Sequence, residues 1–308
     1  MRYTIGPSDS INEMLKKLKD NDELFLKSGI YKEKIESFNN NIKIIGENKE
    51  NTIITNNDHF HKIMDDYNEC NTFRTYTLYV GGNNVTIENV TIENSCFNCY
   101  KYGQAVALHV DGTNFKLYNS ILRGSQDTLF TGPLPEDLLE RHKGFLPESH
   151  LRGIKTIQIY DSCTIEGIID FIFGSSYALF INCEIISKRR TDNKNSYIAA
   201  PSHAKDDKFG YLFYKCNLIT KDNAEKTFLA RPWRDYGTCA FIECSIGNHI
   251  MPEGFNKWQN TGRDKTARFY EYSENIDLSK RKKWAHILNK DEAQQYLNDY
   301  FKFINYKI

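Results

Sequence analysis

Six short segments rich in Ile, Leu, Phe and Tyr recur along this chain, and they restrict its fold more than any other feature. The segments are VTIENVTIENS (85–95), FKLYNSILRGS (115–125), IQIYDSCTIEG (157–167), LFINCEIIS (179–187), LFYKCNLIT (212–220) and AFIECSIG (240–247). Several of them alternate apolar and polar residues, which is the period of a β-strand. Strand-like segments that recur every 20–40 residues or so are typical of a right-handed parallel β-helix. We therefore expect an all-β solenoid in which each coil adds strands to long parallel sheets.

Alignment of the six segments brings one residue of each to a common position. These residues are Val90, Ser120, Ser162, Cys183, Cys216 and Cys244. We expect them to form a ladder inside the solenoid, with the cysteines acting as small buried apolar side chains. A disulfide framework or a metal site is the weaker alternative. The CFNC sequence at 96–99 has the spacing of a zinc-binding pair, but no second such pair and no His pair accompanies it.

The two ends of the chain carry helical patterns. Residues 9–22 (DSINEMLKKLKDND) place Ile11, Met14, Leu15 and Leu18 on one face, with Ser10 as a candidate N-cap. This pattern predicts a helix that caps the N-terminal end of the solenoid. Residues 278–303 are helix-like and mixed in charge, so we expect them to form a C-terminal helical segment on the outside.

One segment, residues 131–153 (TGPLPEDLLERHKGFLPESHLRG), interrupts the repeat. It contains three prolines and no strand pattern, and it predicts a long loop with a turn of helix at EDLLERH. Long loops on rigid scaffolds often line or cover a site. With this loop as an insertion, residues 1–308 are expected to form one β-helix domain.

The charge balance limits the classes of partner. The 308 residues include 40 Lys and Arg and 40 Asp and Glu, and this zero net charge argues against a general nucleic-acid or membrane binder. No stretch approaches 18 apolar residues, so no membrane span is expected. The start, MRYTIGPSDS, has no apolar signal-peptide core. A cytoplasmic location with free thiols is therefore expected, or a secreted one if a signal peptide has been removed from the chain.

The GIIDFIFG stretch (167–174) places Asp170 inside a run that is otherwise apolar or glycine. An ionised carboxylate in an apolar setting costs several kcal/mol unless it is paired and hydrogen-bonded. Either the strand turns this side chain outward, or another part of the chain is built to meet it.

Three other stretches carry polar residues that could meet it. They are YGQAVALHVDG with Gln104, GSQDTLF with Gln126 and Asp127, and FLARPWRDYG with Arg231 and Trp233. Together they would make an ester-hydrolysing site. One carboxylate attacks a carbonyl carbon and a second transfers protons, while amide N–H groups hold the oxyanion and a guanidinium orients the nucleophile. Taken singly each stretch is weak, since a Gln-Asp pair is usually a surface turn.

Five stretches then appear in an informative order: GIYKE (29–33), QAVAL (104–108), QDTLF (126–130), DFIFG (170–174) and LARPW (229–233). In this order they resemble the signature stretches of pectin methylesterases, the carbohydrate esterases that demethylate homogalacturonan. The resemblance covers roughly residues 20–295.

The resemblance implies a role for each matching residue. Asp170 matches the nucleophile, Asp127 the general acid and base, and Arg231 the arginine that hydrogen-bonds the nucleophile and helps to bind substrate. The remaining implied positions are the oxyanion-stabilising Gln104 and Gln126, the aromatic cleft residues Trp233, Phe130 and Phe173, and Thr72 of TFRTYT (72–77), a possible substrate contact.

The resemblance also implies a mechanism and a substrate. Burial and the nearby negative charge should raise the pKa of Asp127, so that it starts protonated while Arg231 keeps Asp170 charged. The implied substrate is methyl-esterified homogalacturonan or its oligogalacturonides, hydrolysed to free carboxylate and methanol through an aspartyl acyl-enzyme. No metal or organic cofactor is needed, and a monomer is expected.

The chain departs from the family pattern in four respects, one of which is the missing Asn after Gly174 in DFIFGSS. Asp127 and Asp170 lie 43 positions apart, about twice the usual separation, and the excess corresponds to residues 131–153. If that segment folds over the cleft, it would restrict the length of the substrate. LARPW has Ala230 where the family typically has glycine. The chain also lacks an export signal. A cytoplasmic enzyme of this family would act on imported methylated oligogalacturonides, because the pectin polymer lies outside the cell.

Other functions stay open from the sequence. A pectate lyase needs a calcium site with a basic residue, and a polygalacturonase needs aspartates around a glycosidic bond, and neither pattern is visible. A non-catalytic β-helix that binds carbohydrate is another possibility. A fourth reading keeps the esterase residues but gives them another ester or a thioester as substrate.

Overall fold

The strands of the computed structural model, which describes residues 1–65 and 68–307, follow the chain in a regular cycle. The chain passes through three parallel sheets, A, B and C, in turn, so that through most of the solenoid each strand pairs with the strand three further along. This arrangement is a parallel β-helix and confirms the fold that the repeated segments predicted. None of the helices in the described part of the chain is long and apolar enough to cross a membrane.

Sheet A has eleven strands and is the longest of the three. With strands numbered along the chain, they are β1 (Arg2–Ile5), β2 (Glu23–Leu26), β5 (Lys43–Gly46), β8 (Thr86–Glu88), β11 (Phe115–Tyr118), β14 (Ile157–Asp161), β17 (Tyr177–Ile181), β20 (Tyr211–Tyr214), β23 (Thr238–Ile242), β25 (Arg268–Tyr272) and β26 (His286–Ile287).

Sheets B and C complete each coil. Sheet B consists of β3 (Gly29–Lys32), β6 (Thr52–Asn56), β9 (Thr91–Asn94), β12 (Ile121–Arg123), β15 (Thr164–Gly167), β18 (Glu184–Ser187), β21 (Asn217–Thr220) and β24 (Ser245–Ile246). Sheet C consists of β4 (Ile35–Ser37), β7 (Leu78–Val80), β10 (Leu108–Val110), β13 (Leu129–Thr131), β16 (Ile169–Gly174), β19 (Ser196–Pro201) and β22 (Thr227–Ala230).

Each of the six repeated segments is a pair of strands joined by a sharp bend between sheets A and B. One residue at each bend has a left-handed backbone with φ between 43° and 56°: Asn89, Asn119, Ser162, Asn182, Lys215 and Glu243. Asparagine tolerates this conformation better than most residues. At two consecutive bends the side chains also stack, because Asn119 donates from Nδ2 to Oδ1 of Asn89 at 2.7 Å.

The interior ladder exists, but one of its predicted members is wrong. Strand pairing aligns Cys163, not Ser162, with Ser120 and Cys183, because Ser162 is the bend residue and turns away. The cysteine thiols of the ladder donate to carbonyls of the preceding coil, as Cys183 Sγ does to the oxygen of Tyr160 at 3.2 Å. All eight cysteines are buried and free, so no disulfide framework is present.

A second ladder of aromatic rings fills the interior beneath sheet A. Tyr160, Phe180, Phe213 and Phe241 occupy paired positions on consecutive strands. Their rings stack with centroid distances of 4.8, 4.6 and 4.4 Å. This stack fixes the register of successive coils, because a slip of one residue would move every ring out of the core.

The N-terminal helix, α1 (Ile11–Leu15), is shorter than residues 9–22 but begins at the predicted Ser10 cap. Ile11, Leu15 and Leu18 are buried in the core, as expected of a cap on the solenoid. The carboxylate of Glu33, in the GIYKE stretch, accepts hydrogen bonds from the backbone N–H groups of Ile11 and Asn12 at 2.8 and 3.1 Å. It therefore satisfies free N–H groups at the start of the helix.

The C-terminal helix is also shorter than predicted. Residues 278–289 are not helical, and they include β26; the helix α4 spans Lys290–Phe303, after an Asn289 capping box. Its buried residues Leu297 and Tyr300 pack on the outer face of sheet A, as expected for an external helix. Residues 286–287 pair with β25 as a strand instead of continuing the helix, and the mixed charge pattern did not indicate this pairing.

Residues 131–153, which we call the excursion, leave the solenoid after β13 and return before β14. A helix, α3 (Glu136–Arg141), forms within the predicted EDLLERH turn, and a 3₁₀ turn follows at Glu148–His150. Two further short elements are the helix α2 (Cys99–Tyr102) and the 3₁₀ turn Thr72–Arg74, both near the start of sheet C strands, and a last 3₁₀ turn is Arg263–Lys265.

Candidate active site

The strand register brings Asp127 and Asp170 together despite their separation in sequence. They precede or begin the neighbouring strands β13 and β16, in which Leu129 pairs with Ile172. The backbone N–H of Asp127 donates to the oxygen of Ile169 at 3.0 Å. The excursion between them loops out of the solenoid, so the two carboxylates lie on consecutive coils, at neighbouring strands of sheet C.

Both aspartates have left-handed backbones, with φ of 64° at Asp127 and 46° at Asp170. At Asp170 the cause is a β-bulge in β16. Ile169 and Ile172, three positions apart, pair with residues 197 and 199 of β19, which are only two positions apart. The bulge turns Asp170 out of the core, while Phe171 and Ile172 remain fully buried in it. Non-glycine residues in this region of φ often occur at functional sites, where the surrounding structure fixes them.

Arg231, which follows β22, meets the carboxylate of Asp170. Its Nε donates to Oδ1 at 2.9 Å and its Nη2 donates to Oδ2 at 2.6 Å. The guanidinium lies 3.8 Å from the ring centre of Tyr197 and 4.2 Å from that of Trp258. A two-point ion pair clamped between two rings has little freedom to reorient, so the Asp170 carboxylate is held in one direction.

The electrostatics of the two carboxyl groups differ. The pKa of Asp127 is raised well above its ordinary value, first by burial and then by the negative charge of Asp170, and Arg231 opposes this shift only in part. Burial lowers the pKa of Arg231, but its ion pair with Asp170 outweighs burial and raises the pKa overall. The arrangement thus favours a protonated Asp127 beside a charge-paired Asp170.

Gln104 and Gln126 come from the coils that carry β10 and β13. The residue after Gln104, Ala105, donates its N–H to the oxygen of Gln126 at 3.1 Å, which places the two glutamines side by side. Both side chains are partly exposed and face the same cavity as the aspartates. Their amides are therefore positioned to donate hydrogen bonds to a negatively charged oxygen there.

These residues line one cavity of about 210 Å³. The lining consists of Thr72, Phe73, Gln104, Gln126, Asp127, Asp170, Phe173, Ala200, Arg231, Trp233 and Trp258. The five polar residues at 104, 126, 127, 170 and 231, which were expected to converge, all line this cavity. A larger groove of about 640 Å³ lies between α4 and the end of the solenoid, and it contains none of these residues.

The aromatic positions differ in how they meet the cavity. Trp233 and Phe173 line it, as does Thr72. Phe130 does not: it is fully buried, with its ring 5.2 Å from that of Phe73 and 4.9 Å from that of Phe173. Phe130 thus supports the lining from below, because the excursion covers the face of the strand that carries it.

The sequence did not point to Trp258. It lies in the NKWQN stretch, 25 positions beyond Trp233 and outside any strand pattern, and only the fold brings it to Arg231. The sequence could have indicated Phe73 as a cavity residue, because it lies beside Thr72 in TFRTYT. Across residues 1–65 and 68–307, no group of three or more His, Cys, Asp and Glu side chains is placed to hold a metal ion.

Comparison with known proteins identifies similar chains. The family model described as Pectinesterase matches residues 4–134 and 150–305. "Probable pectinesterase 30" from Arabidopsis thaliana is 30% identical over 272 residues, which are 85% of this chain and 49% of that protein. A pectinesterase from Petunia integrifolia is 30% identical over 275 residues, 85% of this chain and 65% of that protein. The chain thus spans about half to two thirds of the length of these relatives.

Solved structures share the fold. Pectin methylesterase PemA from Erwinia chrysanthemi has a TM-score of 0.77 at 22% identity, covering 95% of this chain and 94% of that one. The pectin methylesterase from carrot has a TM-score of 0.79 at 21% identity, covering 99% and 96%. A pectin methylesterase in complex with a hexasaccharide has a TM-score of 0.77 at 22% identity, covering 94% and 91%.

Proposed function

The chain belongs to the pectinesterase family, and from this membership we propose that it hydrolyses the C6 methyl ester of methylated galacturonan or oligogalacturonides to a free carboxylate and methanol. The observation that carries the proposal is the cavity in which Asp170, paired with Arg231, lies on the coil next to Asp127 and two glutamines. The pectin methylesterase of the same fold that was solved with a hexasaccharide supports an oligosaccharide substrate.

The first half of the proposed reaction forms an acyl-enzyme. An oxygen of the Asp170 carboxylate attacks the C6 carbonyl carbon, and the carbonyl oxygen becomes an oxyanion within reach of the Gln104 and Gln126 amides. The bond from C6 to the methoxy oxygen then breaks. Asp127 gives its proton to that oxygen, so methanol leaves and Asp127 becomes a carboxylate. The raised pKa of Asp127 supports this role, because it favours the protonated acid at the start.

The second half regenerates the enzyme. The Asp127 carboxylate removes a proton from water, and the hydroxide attacks the C6 carbonyl carbon of the mixed anhydride. The bond to Asp170 breaks, leaving a galacturonic acid group, an ionised Asp170 and a protonated Asp127, and the new acid then releases its proton to solvent as the galacturonate carboxylate. Arg231 stabilises the negative charge that returns to Asp170, because its two hydrogen bonds already fit the carboxylate.

A methanol-release assay on methylated oligogalacturonides and on methylated polymer tests the proposal. We expect the wild type to release methanol and the Asp170→Asn variant to lose at least about 10³-fold in kcat, since it lacks the attacking oxygen anion. Asp206→Asn, an exposed aspartate away from the cavity, is the matched control and should keep full activity.

Two results would overturn the proposal. Unchanged methanol release by a folded Asp170→Asn variant would remove Asp170 from the nucleophile role. Unsaturated or shortened sugars without methanol would replace the esterase by a lyase or a glycoside hydrolase.

A further inference from the structure

The excursion covers the outer face of sheet C beside the cavity. The outward residues of five consecutive strands are in register: Tyr79, His109, Phe130, Phe173 and Ala200. Such positions on a solenoid are solvent-exposed unless another segment covers them. Here all five side chains are at most 3% exposed. The cover is the excursion, whose Leu134, Leu138 and Leu146 belong to the same apolar cluster.

The excursion is attached on both sides of the catalytic cavity. On one side, Asp137 of α3 accepts two hydrogen bonds from Arg234, at 3.0 and 2.9 Å. Arg234 directly follows the cavity residue Trp233 in the sequence. On the other side, the ring of His142 lies 5.7 Å from that of the cavity residue Phe73. The excursion therefore stands behind the aromatic lining as a wall.

This wall separates the cavity from the groove beyond it. Along β16 the cavity includes Asp170 and Phe173, whereas Ser175, directly after the strand, lines a second groove of about 540 Å³. Leu134 and Asp137 of the excursion line that second groove together with Arg234. The Asp137–Arg234 ion pair therefore lines the groove, whereas Trp233, the residue before Arg234, lines the cavity. A sugar chain that runs along the strands from the cavity toward this groove would meet the excursion residues Leu134 and Asp137.

The opposite side of the cavity is open. Gln126 and Arg231 also line a depression of about 380 Å³ at the starts of the sheet C strands. The loop 188–195 contributes Arg190 and Lys194 to this depression; the Lys194 side chain is 75% exposed, and its Nζ lies 3.9 Å from the carboxylate of Asp192. A cation there suits the free carboxylates that demethylated galacturonate residues carry. The cavity itself, at about 210 Å³, is smaller than the ~300–1,000 Å³ of most small-molecule sites.

Given the proposed function, we infer that the excursion restricts this enzyme to the ends of short methylated oligogalacturonides. The ester-bearing residue at the chain end occupies the cavity, and the rest of the chain leaves over the loop 188–195. Residues 135–149 of the excursion fall between the two stretches that the family model matches, so the restriction rests on residues that the family model does not describe.

The first test uses the unmodified protein. Methanol release per ester is measured on a series from the methylated dimer to the methylated polymer, and mass spectrometry locates the esters that a methylated hexamer loses first. We expect kcat/KM to reach its maximum at a short oligomer and to be roughly tenfold or more lower on polymer. The hexamer should lose terminal esters first.

Variants of the wall give the second test. Asp137→Ala removes the ion pair to Arg234, and we expect the polymer-to-trimer ratio of kcat/KM to rise about twofold to fivefold, the range in which a partly exposed ion pair acts. Glu140→Ala is the matched control on the same helix, because Glu140 pairs with Lys143 away from Arg234. A second variant opens the wall further by replacing residues 134–151 with a short Gly-Ser linker. A short linker can join the two ends because the oxygen of Gly132 and Oγ1 of Thr156 are only 3.0 Å apart.

The outcomes separate this inference from the function on which it rests. No methanol from any substrate would overturn the proposed function. Methanol release that is faster per ester on polymer than on trimer, or interior esters lost as fast as terminal ones, would overturn the inference alone. If the linker variant fails to fold, the wild-type length series and the Asp137→Ala variant still decide.

Discussion

Arg231 and Asp170 are joined by two hydrogen bonds although 61 positions separate them in the chain. The pair exists because β22 and β16 flank β19 in sheet C, and the guanidinium crosses the intervening strand above Tyr197. This contact answers why an aspartate is present in the GIIDFIFG run. The bulge turns Asp170 outward, and Arg231 meets its charge there.

Arg231→Lys should preserve the positive charge but lose the two-point contact and the fit between the Tyr197 and Trp258 rings. We expect kcat to fall by about 10²-fold, the usual effect of a small misplacement of a reacting group. Steady-state methanol release measures this, with Arg2→Lys at the far end of the solenoid as the control. Equal kcat values in the two variants would show that the orientation of Asp170 does not matter.

The pH dependence of activity should follow Asp127. Its pKa is raised, so the protonated acid needed for methanol departure persists above the ordinary range and is lost as the pH rises through the raised value. We expect kcat to fall on the alkaline side of that pKa. Asp127→Asn should lower kcat by about 10²–10⁴-fold and abolish this alkaline limb. An unchanged limb in the variant would assign it to another group.

The same shift predicts an effect on stability. Asp127 binds its proton more tightly in the folded state than in the unfolded chain, where its pKa is close to 3.8. Its contribution to the free energy of unfolding is therefore complete below pH 3.8 and declines as the pH rises toward the folded-state pKa. At pH 7 we expect Asp127→Asn to melt at a higher temperature than the wild type. Thermal unfolding at pH 4 and pH 7 measures this, and a gain that is no larger at pH 7 contradicts it.

Trp258→Ala tests a residue that the sequence did not indicate. Its ring covers one face of the Arg231 guanidinium and lines the cavity. Loss of a cation–π contact of about 0.5–2 kcal/mol should weaken substrate binding and loosen Arg231. We expect KM to rise severalfold and kcat to fall, while Trp258→Phe retains most of both. A normal KM and kcat for Trp258→Ala would limit this ring to a structural role.

Phe213→Ala tests the interior aromatic ladder. Phe213 is fully buried, with stacked neighbours 4.6 and 4.4 Å away on both sides. We expect the free energy of unfolding to fall by about 3–5 kcal/mol, through lost burial and the cavity left behind. Denaturant unfolding measures the change. Phe97→Ala is the control, because Phe97 is 43% exposed, and a similar loss in both variants would count against the ladder.

The sequence by itself determined the solenoid and most of its polar site. Strand periodicity is a local property, so the repeated segments revealed the sheets, and ordered motifs identified Asp127, Asp170, Arg231 and the two glutamines as a set. It could also place the α3 turn and the Ser10 cap, because both depend on neighbouring residues.

Only the tertiary structure decided what depends on contacts between coils. A single left-handed bend residue shifted the ladder from Ser162 to Cys163, and strand pairing shortened the C-terminal helix. Packing brought Trp258 to Arg231, buried Phe130 beneath the cavity and laid the excursion over sheet C. These outcomes follow from burial and charge pairing between residues far apart in the chain, and no local pattern encodes such distances.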